Sequence, residues 1–230
     1  MLALAAAALF GATGVAIAQE VALKRTQKTG EKLTWEFSVK GMVAGAEFTV
    51  NGQTIEEVVS TSPTDGYRVK VTDKDVKVTV MGQAQDQPVQ EPTEVQRDPK
   101  GRLLDTKGPA NNVFPPEVMK TMLQLGEVVL PDKAVKVGDE WKAEYDNLLS
   151  GAGKYSVSYT LLAVEKVEGE DAWKIGQKAE VSGAAGAIKD DTVYWLSGKD
   201  GALLKRESNK TGVPTPVGAM SWIEKISRTR

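Results

Sequence analysis

A period of two runs through most of this chain. Between residues 154 and 167, Tyr155, Val157, Tyr159 and Leu161 face one way, while Ser156, Ser158 and Thr160 face the other. That is the pattern of an antiparallel strand with one buried and one wetted face. The same alternation marks 32–40 (Leu33, Trp35, Phe37, Val39), 140–146 (Trp141, Ala143, Tyr145) and 172–182 (Trp173, Ile175, Ala179, Val181). Shorter versions occupy 102–106, 192–197, 202–209 and 218–228. Asn51-Gly52 predicts a two-residue hairpin between strands 46–50 and 54–59, and Asp73-Lys74 a bend between 67–72 and 75–81. Gly169-Glu170-Asp171 and the small-residue stretch 183–187 supply further turns. About ten to twelve strands joined by short turns form an antiparallel meander. Strands as long as 154–167 favour a strongly curved sheet over a compact sandwich.

One segment breaks this pattern. In 113–126, Val118, Met119, Met122, Leu123 and Leu125 form an apolar stripe at helical spacing. Pro115 and Pro116 suit the first turn, Glu117 complements the positive helix end, and Gly126 provides a stop. The stretch 82–100 is rich in Gln, Pro, Asp and Glu and reads as a long loop or linker. The expected fold is therefore mainly β: a strongly curved antiparallel sheet, a half-barrel or open barrel, packed on one helix near 115–125.

Residues 1–18 carry no charge, 2–10 form an apolar run, and Ala16-Ile17-Ala18 places small residues where a signal peptidase reads. Cleavage is expected before Gln19. No Lys or Arg precedes the apolar run, so a membrane anchor is the competing reading. The expectation is a signal peptide at 1–18 and a single β-rich domain at 19–230, exported to the periplasm or the extracellular space with no membrane span after cleavage. Without cysteine the chain has neither disulfides nor a lipid-bearing thiol. Its stability rests on a core, and it is long enough to bury one.

Histidine is absent too, which removes the usual zinc and copper ligands and every Ser-His-Asp or Cys-His system within the chain. With 29 basic and 31 acidic residues, no basic excess suits nucleic acid. The carboxylate pairs Glu56-Glu57, Asp139-Glu140, Glu170-Asp171 and Asp190-Asp191 alternate across strand faces, so none is a ready acid/base set; they read as solvated turn residues. Asp73-Lys74-Asp75 and Lys199-Asp200-Gly201 resemble fragments of calcium loops but lack the EF-hand spacing. Ser150-Gly151-Ala152-Gly153-Lys154 lacks the Gly-Lys-Ser/Thr ending of a phosphate loop and reads as a hairpin loop. No catalytic, cofactor-binding or metal-binding residue emerges, no cofactor is expected, and the ligand-binding residues stay open. Trp35, Trp141, Trp173, Trp195 and Trp222, with Tyr67, Tyr145, Tyr155, Tyr159 and Tyr194, all fall in strands. They either pack a plain core or line a concave apolar surface.

Two repeats of pattern stand out. Asp98-Pro99-Lys100-Gly101-Arg102-Leu103-Leu104 echoes Lys199-Asp200-Gly201-Ala202-Leu203-Leu204, and Gly30-Glu31 before Trp35 parallels Gly138-Asp139 before Trp141. Two similar β-meander halves, about 19–106 and 128–230, joined by a loop and a helix, would explain both; so would the commonness of charged Gly turns ahead of strands. The element Leu130-Pro131-Asp132-Lys133-Ala134-Val135-Lys136-Val137-Gly138-Asp139-Glu140-Trp141 resembles the Leu-Pro-x-x-x-Val-x-x-Gly-Asp-x-Trp pattern of a group of uncharacterised secreted bacterial proteins. That resemblance covers about 128–207 and implies secretion but no activity. Physically, Gly138 permits a tight turn, Asp139 caps it, and Trp141 is the first inward residue of a strand. The wider architecture resembles envelope proteins of the lipoprotein-carrier kind, in which a curved sheet wraps a helix around an apolar cavity.

These features lead to a non-enzymatic exported protein that binds or carries a hydrophobic small molecule or lipid, or serves a structural envelope role. The alternatives are a carboxylate-dependent hydrolase of extracellular polymer and an interaction module of a larger assembly.

Overall fold

A computed structural model describes residues 20–109, 113–184 and 186–229. The signal-peptide reading of 1–18 lies outside the described residues. The elements are β1 (Lys32–Val43), β2 (Ala46–Ser62), β3 (Gly66–Val80), β4 (Gln83–Asp86), β5 (Thr93–Arg97), β6 (Leu103–Lys107), α1 (Pro116–Leu125), β7 (Glu140–Asp146), β8 (Lys154–Val167), β9 (Glu170–Gly183), β10 (Gly186–Ser197), β11 (Leu203–Thr215) and β12 (Gly218–Arg228). All 12 strands form one antiparallel sheet, ordered β6-β5-β3-β2-β1-β12-β11-β10-β9-β8-β7, with β4 attached to β3. The first and last strands pair in the middle, from Trp35↔Arg228 to Val43↔Met220. The two outer edges, β6 and β7, are therefore consecutive in the chain, and residues 108–139, which carry α1, connect them.

That connection explains the curl. Arg97 on β5 and Tyr159 on β8 are eight strand steps apart in the sheet order, which is about 38 Å in a flat sheet at about 4.8 Å per strand. Yet Arg97 pairs with the Glu127 carboxylate at 3.4 Å and Tyr159 donates to the Glu127 carbonyl at 3.4 Å. The sheet has to wrap around the segment after α1. The expected open, strongly curved sheet on one helix is what forms.

The concave face carries the core. Val118, Leu125, Val128, Val129, Leu130 and Val135 from the connection pack with Val157, Tyr159, Leu161, Ile175, Val181, Ile188, Tyr194 and Leu196 of β8–β10. Leu123, on the same helix, packs against Val58, Val69 and Val95 of β2, β3 and β5. A third, small cluster of Ala172, Trp195 and Leu204 includes Trp195, which faces outward, opposite its neighbour Tyr194, and lies beneath Lys174 and Lys205.

Two turn expectations are corrected. Asn51-Gly52 lies inside β2, and Asp73-Lys74 inside β3. These two stretches face each other: the register shifts between Asn51↔Lys77 and Gln53↔Lys74, and Asp75 takes φ 51. They form one shared bulge that bends two long strands. Gly52 is there for a close approach, because an added Cβ would sit 2.8 Å from the Phe37 ring. The expected linker 82–100 is also corrected, as it contains β4 and β5 paired to β3. Its polar composition reflects the sheet margin, where β4 is exposed along its whole length.

Candidate functional site

The concave face divides into a covered and an uncovered part. Beneath the connection the sheet supplies donors to the carbonyls that α1 leaves unsatisfied at its C-terminus. Tyr194 Oη and Gln177 Nε2 each donate to the Leu125 carbonyl at 2.8 Å, Arg206 to Gly126 at 2.8 Å, and Trp141 Nε1 to Val129 at 2.7 Å. The last turn of α1 has no basic residue of its own; Arg206 of β11 supplies the cation that the negative helix end favours.

Two buried charge clusters flank this seam. In the first, Arg25 meets the Glu127 carboxylate at 2.8 Å, Arg97 meets it at 3.4 Å, and Arg25 also donates to Tyr67 Oη. Burial alone would push the Glu127 carboxyl up, but Arg25, Arg97 and Arg206 outweigh it and hold the group below the usual carboxylate range. Glu56 faces the same cluster. Burial and the charge of Glu127 push its carboxyl up to about 7 against the pull of Arg97 and Arg25. In the second cluster, Lys210 of β11 pairs with Asp190 of β10, and Gln177, Thr192 and Ser208 complete the hydrogen bonding. Burial lowers the Lys210 ammonium pKa despite the attraction of Asp190.

The uncovered part lies further along β12, β1, β2 and β3. Cross-strand rows place Met220 beside Val43, Trp222 beside Gly41 and Phe48, Val39 beside Val50 and Val78, and Ile226 beside Phe37. These residues share the face that carries Glu224 and Arg206, and Phe48 packs its ring over Gly41 beside Trp222. Phe48 is buried, whereas Phe37, Val39, Val43, Val50, Val78, Met220, Trp222 and Ile226 are only half-buried and Val80 is 42% exposed. On β8 and β9 the equivalent inward residues Val157, Leu161, Ile175 and Val181 are fully buried. Among the described residues, the sheet thus offers an apolar floor that the connection reaches only at its border, where Phe114 packs against Trp222. The floor is open among the described residues, and two small depressions, of about 20 and 50 Å³, lie elsewhere.

The sequence-level candidates distribute as follows. Glu57, Glu140 and Asp191 face outward, as alternation requires, with Glu57 paired to Lys32 and Asp191 to Lys178. Glu170 pairs with Arg228, and Asp171 with Lys166. Asp139 accepts from the Lys136 amide at 3.0 Å and Gly138 takes φ 95, the capped turn expected there. Asp190 and Glu56 are the corrections: both turn inward into the charge clusters instead of standing in solvent. Asp73 accepts from Thr54, and Asp200 from the Ala202 amide within its own turn. Residues 150–153 lie in the β7–β8 hairpin loop, organised by the Asn147 side chain, and Lys154 opens β8. Most inward aromatics pack as core: Trp141 stacks on Tyr159, and Tyr145 on Tyr155. Only Trp222 and the two phenylalanines Phe37 and Phe48 belong to the floor. Sequence reasoning passed over Arg25, Arg97, Glu127 and Lys210, although Arg97 shares the phase of the buried Val95 and Arg25 that of Val21 and Leu23.

No protein-family model matches the chain, and no curated protein is similar to it in sequence. Among solved structures, the fold is similar to that of lipovitellin, in a structure concerned with lipid–protein interactions: TM-score 0.50, 9% sequence identity, covering 88% of this chain. The match spans 25% of that chain, so the likeness concerns about a quarter of a much larger protein.

Proposed function

We propose that this protein is exported and binds a hydrophobic molecule, such as a lipid chain, on the uncovered floor of its concave sheet, without catalysing a reaction. The observation that carries this reading is the contrast along one face. The same inward apolar pattern is fully buried under α1 and its flanks on β8–β10, and left half-open on β12, β1, β2 and β3. Four strands and four rows measure about 14 Å by 20 Å, on the order of 300 Å². Covering that area is worth several kcal/mol at about 25 cal/mol per Å², and apolar patches of this size on monomers are often functional. Support also comes from the interior carboxylates: Glu127 and Asp190 are engaged by cations and hold the connection and sheet in place. The similarity of the fold to lipovitellin, in a structure concerned with lipid–protein interactions, is in keeping with this reading. The apolar run of 1–18 with its Ala16-Ile17-Ala18 ending supports export.

The test is a titration with a fluorescent fatty-acid analogue, read by quenching of tryptophan. Val50→Glu places a charge on the floor and is expected to weaken binding about tenfold or more, since an unpaired charge in an apolar contact costs well over 1.4 kcal/mol. Equal binding by the variant, or none by the wild type, overturns the reading. Recovery of the chain in the exported fraction with Gln19 as its first residue tests the compartment.

A further inference from the structure

The two ends of the sheet differ in kind. Antiparallel pairing sends the turns 44–45, 81–82, 148–152 and 216–217 and the end of the β9–β10 hairpin to one end, and the turns 63–65, 98–102, 168–169 and 198–202 to the other. The stretches 41–46, 78–85, 147–153, 181–184, 186–187 and 211–223, which build the first end, contain no Asp, Glu, Lys or Arg, in a chain that is 26% charged. The opposite end carries Asp65, Asp98, Lys100, Arg102, Glu168, Glu170, Asp171, Lys199 and Asp200.

The uncharged end is also where large apolar side chains protrude. Met81 is 80% exposed, Val217 68% and Met42 51%. Met81 occupies a left-handed turn position with φ 50, a place that Asn, Asp or Gly ordinarily takes. Ala44 does the same at φ 48 in the β1–β2 turn. The tips of β11–β12, β1–β2 and β3–β4 follow one another along the sheet, about 10 Å apart at two strand spacings. Directly behind them begin the first rows of the apolar floor, with Met220, Val43, Phe48 and Val80.

We infer that this end docks on a lipid bilayer surface, so that a chain passes between membrane and floor without crossing a charged rim. The inference rests on the reading of the floor as a hydrophobic site. The occupant follows from composition and shape. A protein interface surrounds its apolar centre with a polar, hydrogen-bonding rim and takes about 800 Å² per partner. Here the apolar tips are strung along a curled edge, and no charged residue flanks them within the turns. Small, uncharged and apolar residues suit the interfacial zone of a bilayer. The missing cations set the lipid preference: neutral surfaces serve as well as anionic ones, and salt has little effect.

The test is vesicle flotation of the processed chain 19–230, which contains every described element, with vesicles of phosphatidylcholine alone. The wild type is expected to float equally at low and high salt. The double variant Met81→Glu, Val217→Glu is expected to lose about tenfold in partitioning, about 1.4 kcal/mol, because each carboxylate must shed water to enter the membrane interface. Thr64→Glu at the charged end should float like the wild type. Both substituted tip residues are largely exposed, and an unchanged melting temperature shows that the fold is kept. A wild type that stays with the soluble fraction, or a double variant that floats undiminished, overturns the docking. So does a wild-type dimer that the double variant abolishes while vesicles leave both untouched; that result makes the end a self-association surface. The fatty-acid titration separates this failure from failure of the binding reading. Probe binding without flotation overturns the docking alone, and loss of both overturns the pair.

Discussion

Arg97 and Tyr159, on strands eight steps apart, meet on a single residue: one binds the Glu127 carboxylate, the other its carbonyl. The chain places this residue just past the C-terminus of α1, so the curl of the sheet is closed through the connection between its two edges. Arg25 completes the clamp at 2.8 Å.

Breaking that clamp should be costly. Glu127→Gln removes the carboxylate that Arg25 and Arg97 bind and leaves them only the more distant Glu56, and loss of one partner from a buried ion pair costs about 3–5 kcal/mol. For a chain of this size that is a fall in melting temperature of about 6–20 °C, at about 2–4 °C per kcal/mol. Because the folded state holds the Glu127 pKa below 4.5, its contribution is fully present above that value and is lost as pH falls through the folded pKa. Thermal melts of both proteins at neutral pH check this, and a change below 2 °C contradicts it.

Glu56 has the opposite sign. Its carboxyl rises from 4.5 to about 7 on folding, so the folded state holds the proton more tightly. Its contribution is favourable below about 4.5 and disappears as pH rises through about 7. Glu56→Gln removes that loss. The variant should match the wild type near pH 5 and exceed it above pH 7, by at most about 3 kcal/mol. Denaturant unfolding across this range is the measurement; a variant weakened equally at all pH values refutes the assignment.

The pair Lys210–Asp190 is buried on both sides, with side chains 4% and 0% exposed. Asp190→Asn leaves the ammonium among neutral partners, Thr192 and Ser208 included, without its paired carboxylate, at a cost of about 3–5 kcal/mol. The double change Asp190→Leu, Lys210→Met replaces both charges by apolar groups of similar size and should recover most of that loss. A double variant as unstable as the single one shows that the pair is worth more than an apolar contact.

Much of this arrangement was legible in period two. The inward residues of β7, β8 and β9 follow from alternation alone, and so does the opposition of Tyr194 and Trp195. The same phase carries Asp190 inward, since Ile188, Tyr194 and Leu196 share its parity; its acidic neighbour Asp191 obscured this. Arg206, Ser208 and Lys210 show no such sign, because both faces of β11 are polar in sequence and burial there comes from α1 docking across the sheet. Asn51-Gly52 and Asp73-Lys74 carry turn chemistry, and local chemistry does not distinguish a turn from a bulge. Only the register between β2 and β3 does. The floor was visible as apolar alternation, but that it lies uncovered depends on how far residues 108–139 reach.

That unequal cover predicts unequal local stability along one continuous sheet. Amide exchange depends on the free energy of local opening, which rises with the apolar contacts that opening breaks. The inward side chains of β8–β10 are sealed by Val118, Leu125 and Val128–Leu130, and Tyr194, Gln177 and Tyr159 tie those strands to the carbonyls after α1. Opening them breaks both sets of contacts, so their amides should exchange only through global unfolding. The distal parts of β1, β2 and β3 have ladder hydrogen bonds but a half-open floor, and should exchange faster than β9 or β10. Fastest of all should be β4, which pairs only with β3 and is exposed at every residue. Binding of a fatty-acid analogue should then slow exchange in 37–50 and 220–226 and leave β8–β10 unchanged. Slowing confined to β8–β10 instead places the ligand under the connection and contradicts the floor as the binding surface.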